Sequence, residues 1–139
     1  MGYKSPGQIL FYVTCANFSP ADATDYFWAD MYLAADTLFG TYQLQIPGPM
    51  RIRKAFIRLM AGGATGTNED ISLYIRVNDA TDYFIATVST ATTNRDFRNN
   101  DMNVPLTGTD LICIKMVSPT WVTNPVNLRC YGWLLAEAE

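Results

Sequence analysis

Hydrophobic and polar positions alternate most regularly in the segment EDISLYIRVND, residues 69–79. A period of two places successive side chains on opposite faces of an extended chain, so this segment predicts a half-buried β-strand. The stretch MRIRKAFIRLMA, residues 50–61, alternates in a similar way and predicts a longer strand. The buried face of the strand in residues 69–79 is expected to carry four aliphatic residues, which are Ile71, Leu73, Ile75 and Val77.

Segments rich in β-branched and aromatic residues predict further strands, at 8–15, 41–46, 83–89, 111–118 and 127–136. Glycine, proline and asparagine concentrate between these segments, where turns are expected. The count of about eight short strands, with no alternating βα units, predicts an all-β antiparallel sandwich or barrel. The length of 139 residues indicates a single domain over residues 1–139.

Three segments need a specific interpretation. AGGATGTNED, residues 61–70, reads as a hairpin-like connection between its flanking strands. Residues 20–39, PADATDYFWADMYLAADTLF, leave both helix and extended structure open, because alanine and leucine favour a helix and the aromatic cluster does not. The apolar end of the chain, CYGWLLAEAE, predicts a last strand that is central or paired across an interface, since a long exposed apolar edge invites aggregation.

The hexapeptide DATDYF occurs twice, at residues 22–27 and 79–84. The flanking sequences differ, so the repeat does not indicate a duplicated domain. Aspartate and threonine favour turns and Tyr-Phe favours a strand, so each copy predicts a turn that leads into a strand. The alternative is a cation or acid–base site built from carboxylates. Its members are the four aspartates of the two copies, Asp22, Asp25, Asp79 and Asp82.

Enzyme signatures are missing from the sequence. The chain has no histidine, so it lacks Ser–His and Cys–His nucleophile pairs, and it has no phosphate-binding glycine motif. We therefore expect no enzymatic activity, no cofactor and no metal. The three cysteines show no metal-binding spacing, and Cys113 and Cys130 lie in apolar runs that predict buried free thiols in a protein made in a reducing cytoplasm.

Charge narrows the set of partners. The net charge of −3 gives no general attraction to nucleic acid, and no apolar run approaches the ~20 residues of a membrane span. Residues 49–76 nevertheless carry five basic against two acidic side chains, whereas the segments before and after are acidic. This segregation suggests that the basic strand of one protomer faces the acidic surface of another.

The aromatic residues give the candidate site. Tryptophan and tyrosine are enriched in core positions, in interface hot spots and on sugar-facing surfaces, and the sequence leaves these three roles open. The first copy of DATDYF ends in Tyr-Phe-Trp, which we expect to pack against a neighbouring protomer. The predicted protein interface comprises Tyr26, Phe27, Trp28, Arg51, Arg53, Trp121, Tyr131 and Trp133.

Two long runs resemble a known family. They are residues 66–97, GTNEDISLYIRVNDATDYFIATVSTATTNRDF, and residues 107–137, TGTDLICIKMVSPTWVTNPVNLRCYGWLLAE. Both are similar to small β-sandwich domains encoded in tailed-phage and prophage genomes, and NFSPADATDYFW resembles the opening segment of the same domains. The positions that carry the resemblance are Asn68, Glu69, Leu73, Tyr74, Ile75 and Arg76, then Asp110, Ile112, Ile114, Lys115, Val117, Pro119, Thr120, Trp121, Thr123, Asn124 and Pro125.

The resemblance implies a jelly-roll-like fold, often trimeric, at the virion surface. Related domains often end a longer fibre, but this chain starts at Met1, so we expect a self-contained capsid decoration or surface-knob protein that stabilises the particle. Its partners would be two further copies of itself and the major capsid or another virion protein. The alternative is a receptor-binding fibre tip that recognises a host cell-surface glycan, and an enzyme acting on surface polysaccharide ranks third.

Overall fold

The chain forms two β-sheets that share one hydrophobic core, as seen in a computed structural model. The structure describes residues 7–41 and 43–139, without the side chain of Tyr32. The all-β sandwich-like architecture predicted from the sequence is confirmed. Its strands number eleven in the described residues, more than the predicted eight, because several segments read as loops form short strands.

The strands follow one another along the chain without an intervening α-helix in the described residues. A single 3-10 turn, Phe39–Thr41, lies between the third and fourth strands. The strands are β1 Gln8–Phe18, β2 Asp25–Trp28, β3 Asp30–Ala34, β4 Leu44–Gln45, β5 Met50–Ala61, β6 Ile71–Val77, β7 Thr81–Val88, β8 Asn94–Asn99, β9 Val104–Leu106, β10 Leu111–Val117 and β11 Leu128–Ala138.

The two sheets have different strand orders. The six-stranded sheet has the order β3-β1-β11-β5-β8, and β9 joins the free part of β5. The five-stranded sheet has the order β2-β10-β6-β7, and β4 pairs with β10 beside β2. Every pairing is antiparallel except that of β1 with the short β3, which is parallel. Sequence neighbours therefore often lie in different sheets, as β1 and β2 or β5 and β6 do.

The alternation seen in the sequence sets the core. In β6 the four aliphatic side chains are buried and the residues between them are partly exposed, as predicted. The last strand, β11, lies between β1 and β5 and is thus central, which confirms the expectation drawn from its apolar sequence. All three cysteines are buried free thiols, and burial raises the pKa of Cys113 to about 12.

Two segments of uncertain structure are resolved. Residues 20–39, for which the sequence leaves helix and extended structure open, form β2, β3 and the 3-10 turn. In β2, Tyr26 and Trp28 face the core and Phe27 faces the outer side of the five-stranded sheet. The strand predicted at 41–46 is limited to Leu44–Gln45, and Tyr42 lies outside the described residues.

The connection at residues 61–70 is not a hairpin. β5 lies in the six-stranded sheet and β6 in the five-stranded sheet, so the segment crosses between them. The N–H groups of Gly62 and Gly63 donate to the carbonyls of Asn127 and Val126, at 3.0 and 3.2 Å. These bonds to the start of β11 hold the segment away from the return path that a hairpin needs.

Both copies of DATDYF form turns that lead into strands, as predicted. At the second copy, Asn78 and Asp79 have φ values of 55° and 51°, the left-handed pair at the centre of a turn in which the Ala80 N–H donates to the Val77 carbonyl at 3.0 Å; three residues, 78–80, connect β6 and β7. At the first copy, Ala23 has a φ of 47° and β2 begins two residues later, at Asp25.

Candidate interaction surface

Four of the predicted interface residues are buried in their own chain, so their prediction as an interface is wrong. Tyr26 and Trp28 point inward from β2 and pack on the ring of Phe18, with centroid distances of 5.1 and 6.0 Å. Phe27 points outward, but Phe39 of the 3-10 turn covers it edge-on at 6.2 Å. Because the 3-10 segment folds over β2, the Tyr-Phe-Trp cluster needs no neighbouring protomer.

The fourth buried residue, Trp121, lies in the loop between β10 and β11. It is 5% exposed, and the guanidinium carbon of Arg95 stands 5.4 Å from its ring centroid. Arg95 is itself buried and donates to the carbonyl of Thr65 at 3.0 Å. The tryptophan thus fills the end of the sandwich beneath two loops.

The other four predicted residues lie together on the outer face of the six-stranded sheet. Tyr131 and Trp133 alternate with inward-facing residues of β11, and Arg51 and Arg53 project from β5 further along, level with the end of β11. Adjacent strands add more apolar side chains at the same level. We call the resulting surface the aromatic face; its members are Leu10, Tyr12, Phe56, Tyr131, Trp133 and Leu135.

The aromatic face is built in rows that run across the strands. One row follows the register Tyr12, Trp133, Phe56 and Arg98 through β1, β11, β5 and β8. The rings of Trp133 and Phe56 are 6.1 Å apart, and the Arg98 guanidinium lies 4.6 Å from the Phe56 centroid. Cross-strand aromatic and cation–π pairs of this kind stabilise a sheet and hold the side chains in one orientation.

The next row pairs an aromatic ring with an ion pair. Thr14, Tyr131, Arg58 and Asp96 face one another in register. Arg58 donates to both carboxylate oxygens of Asp96, at 2.6 and 2.8 Å, and its guanidinium carbon lies 6.0 Å from the Tyr131 ring. The hydrogen bonds from Arg58 lower the pKa of Asp96, so the pair stays ionised at neutral pH.

Charged pairs border the aromatic face on the side of the chain end. Arg51 binds Glu139 at 2.7 Å, and Arg53 binds Glu137 at 2.9 Å. Both arginines also donate to the side-chain oxygen of Asn103. The basic strand is therefore matched in part by acidic residues of its own chain, and its pairing with a second protomer stays a prediction.

Four of the six members of the aromatic face are absent from the predicted interface. Leu10, Tyr12 and Leu135 lie in runs that are apolar at nearly every position, QILFYV and WLLA, and Phe56 lies between two other apolar residues of β5. Such runs predict a strand without showing which side chains face outward. A polar residue at one end of each run identifies the outer face. Gln8 lies an even number of positions from Leu10 and Tyr12, and Glu137 an even number from Tyr131, Trp133 and Leu135, so each lies on the same face as those residues.

Gly132 allows the two central strands of this surface to approach each other. A Cβ atom added there would stand 2.1 Å from the Phe56 carbonyl oxygen and 2.8 Å from the Ile57 Cα. Both contacts are to backbone atoms, which cannot turn aside as a side chain can. The glycine between Tyr131 and Trp133 therefore sets the spacing of β11 and β5 beneath the aromatic rows.

The repeated aspartates are engaged by protein donors. Lys115 lies between the two copies, with its Nζ 2.8 Å from Asp82 and 3.8 Å from Asp25. Arg76 binds Asp82 at 3.0 Å and Asp79 at 3.3 Å. The cation or acid–base alternative is thereby disfavoured, because these carboxylates already face fixed positive charges.

The residues that carry the family resemblance join two loops. Thr67 and Thr123 exchange hydrogen bonds of 3.1 Å, and Glu69 accepts from the Val122 N–H at 3.2 Å. Asp22, from the first DATDYF copy, accepts from the Trp121 N–H at 3.1 Å. These contacts stabilise one end of the sandwich, so the resemblance describes the fold more than an activity.

Comparison with known proteins adds no family. A scan against protein-family models and a search of curated proteins both gave no match. Over residues 7–41 and 43–139, the structure has no pocket and no group of three or more potential metal ligands. Within that part of the chain, no helix is long and apolar enough to cross a membrane.

Proposed function

We propose that this protein is a non-enzymatic structural protein of a tailed-phage virion, bound at the particle surface through the aromatic face. The observation that carries this proposal is the composition of that face. Its centre combines the exposed side chains of Leu10, Tyr12 and Tyr131 with others that are half-buried or buried, and ion pairs and arginines form its border. Protein interfaces have this anatomy, with an apolar centre inside a polar rim.

The exposure of individual residues supports an assembly role. Tyr12 is 60% exposed, Leu10 is 48% exposed and Tyr131 is 44% exposed, all on the outer face of one sheet. Tyrosine, tryptophan and arginine are the residue types that dominate interface hot spots. Contiguous exposed apolar surface is uncommon on monomers and marks contact surfaces. The partner in this proposal is the major capsid protein or another virion protein, as the family resemblance implies, and the in-chain ion pairs of Arg51, Arg53 and Arg58 are compatible with a protein partner of low charge.

The strand order supports the phage-domain reading of the fold. Eight strands form the orders β1-β11-β5-β8 and β2-β10-β6-β7, in which consecutive strands alternate between sheets at both ends of the chain. Jelly rolls are double-sheet folds of eight strands with two Greek keys. We propose a jelly roll on this ground, whereas the trimer rests on the resemblance alone.

The experiment is rebinding of purified protein to particles that lack it. We expect Tyr131→Ser to weaken binding by about 10- to 100-fold, since a hot-spot truncation costs on the order of 1–3 kcal/mol. Leu38→Ser is the matched control, because Leu38 is also exposed but lies outside the aromatic face, between β3 and the 3-10 turn. Equal binding of the two variants would rule out the aromatic face as the attachment surface.

A second candidate function is glycan recognition by a receptor-binding tip. The observation that favours it is the grouping of Tyr12 and Tyr131 with the hydroxyl of Thr14 and the guanidinium of Arg58. Exposed rings beside hydrogen-bond donors suit the apolar and polar faces of a sugar. If Tyr131→Ser abolishes binding to isolated host glycans and leaves particle binding unchanged, the tip function replaces the decoration function.

A further inference from the structure

One edge of the six-stranded sheet is open over the first part of β1. β1 pairs with β11 along its length on one side, but on the other side β3 covers it only from Thr14 onward. Among the described residues, no strand pairs with this second side of Gln8–Val13. The open segment carries no charge and reads QILFYV.

The hydrogen bonds at the two ends of this segment show which backbone groups face outward. Ala138 donates to the Gly7 carbonyl at 2.8 Å, and Thr14 donates to Ala29 at 2.9 Å on the opposite side. In an antiparallel pair, alternate residues bond to the same neighbour. The N–H and C=O groups of Gln8, Leu10 and Tyr12 therefore point to the open edge, in the same direction as Thr14.

The edges on β2, β7, β8 and β9 are protected against pairing, unlike the open part of β1. In β7, a bulge interrupts the strand, and Asn99 donates to the carbonyls of Phe84 and Ile85 at 3.4 and 3.2 Å. β9 contains Pro105, and Phe27 of β2 exchanges bonds of 2.6 and 3.0 Å with Asp36. Bulges, prolines, charges and covering segments are the devices that prevent edge-to-edge association.

β8 shows the same protection by charge. Its sequence, NRDFRN, places three charged residues in six positions. The open part of β1 instead combines exposed Leu10 and Tyr12 with Ile9 and Phe11, which are half-buried against the core. An uncharged apolar edge of this length is a template for another strand.

We infer that the open edge of β1 pairs with the same edge of a second copy, in an antiparallel, two-fold arrangement centred on Leu10. This position of the axis follows from the open stretch, because Gln8 and Tyr12 lie equally far from Leu10 and β3 occupies the edge at Thr14. Leu10 then faces Leu10 of the second copy, and Gln8 faces Tyr12. Three such hydrogen-bonded pairs supply about six backbone hydrogen bonds.

The side chains suit pairing with a second copy. Ile9 would face Phe11 across the axis, so two half-buried residues of each core would cover each other. The strand has no charge, and self-pairing therefore creates no like-charge contact. Antiparallel pairing of an edge with the same edge of a second copy is a two-fold contact, which is complete with two copies. The edge thus specifies a dimer, in contrast to the trimer that the family resemblance implies.

The first test measures the mass of the purified full chain in solution by light scattering during size-exclusion chromatography. We expect twice the chain mass of 15.5 kDa for the natural protein. Leu10→Lys should shift the mass to that of a monomer, because two ammonium groups would meet at the axis. Val122→Lys, at the most exposed large hydrophobic residue, should remain a dimer, and so should Tyr131→Ser. A monomeric or trimeric natural protein, or a Leu10→Lys dimer, overturns the inference.

The second test distinguishes this pairing from other dimers by oxidative cross-linking. Hydrogen-bonded partners have Cα atoms about 5.5 Å apart, within the range of a disulfide, so Leu10→Cys should cross-link to its own copy. Tyr12→Cys is the matched control, since its two copies would be about 14 Å apart. The natural cysteines are buried and should not compete. Equal cross-linking of the two variants contradicts a two-fold axis at Leu10. Both tests use purified protein without particles, so their failure leaves the proposed attachment surface unaffected.

Discussion

Replacing Gly132 with alanine tests whether the close approach of β11 and β5 is required. The added Cβ atom would stand 2.1 Å from the Phe56 carbonyl oxygen, against the 3.4 Å of an ordinary contact. Relief of this overlap requires a shift of about 1 Å between two paired strands. The strands cannot separate locally without stretching the ladder hydrogen bonds that flank Gly132.

The expected cost follows from these two effects. Overpacking in a filled interior costs about 1–3 kcal/mol, and weakening two backbone hydrogen bonds adds about 1 kcal/mol each. The sum is about 3–5 kcal/mol of the free energy of unfolding. With an unfolding entropy of about 2.1 cal/mol/K per residue over 139 residues, Gly132→Ala should lower Tm by about 10–17 °C.

Differential scanning calorimetry of the purified variants measures this shift. Gly48→Ala is the matched control, because a Cβ atom there meets nothing within 4 Å. We expect that control to keep the Tm of the natural protein within about 2 °C or to raise it slightly, as its chain loses freedom mainly in the unfolded state. If Gly132→Ala melts together with Gly48→Ala, the reasoning from strand spacing is refuted.

Two further predictions concern titratable groups. Burial raises the pKa of Cys113 to about 12 and that of Cys130 well above its ordinary value. A thiol reagent at pH 8 should therefore label no cysteine of the native protein and all three after unfolding. Rapid labelling of the native protein would contradict this prediction. Hydrogen bonds from Arg58 lower the pKa of Asp96, and a hydrogen bond from the Thr107 N–H lowers the pKa of Asp110. The stability that these two ionised carboxylates confer is therefore present above about pH 4 and is lost as the pH falls through their lowered pKa values. Denaturant unfolding between pH 7 and pH 2 should show Asp110→Asn with a shallower acid loss than the natural protein, and an unchanged acid slope would disprove the contribution of Asp110.

The strand pattern of the sequence determined much of the fold. The alternation in residues 71–77 predicted both the strand β6 and its buried face, because one side chain in two must enter the core of a half-buried strand. The turn chemistry of DATDYF predicted two local bends, since Asp, Thr and Asn act through bonds to their own backbone. These features depend on residues close in the chain, and for that reason a sequence reveals them.

Tertiary structure alone decided which aromatic residues are available for contact. Trp28 and Trp133 stand in equally aromatic segments, but Phe18 packs on the first, and the second stays on an outer face. Likewise, residues 61–70 resemble a hairpin until the bonds from Gly62 and Gly63 direct them across the sandwich. The open edge of β1 also depends on where β3 ends. In each case the deciding contact joins residues far apart in the chain, and a local sequence pattern does not specify which distant residues come together.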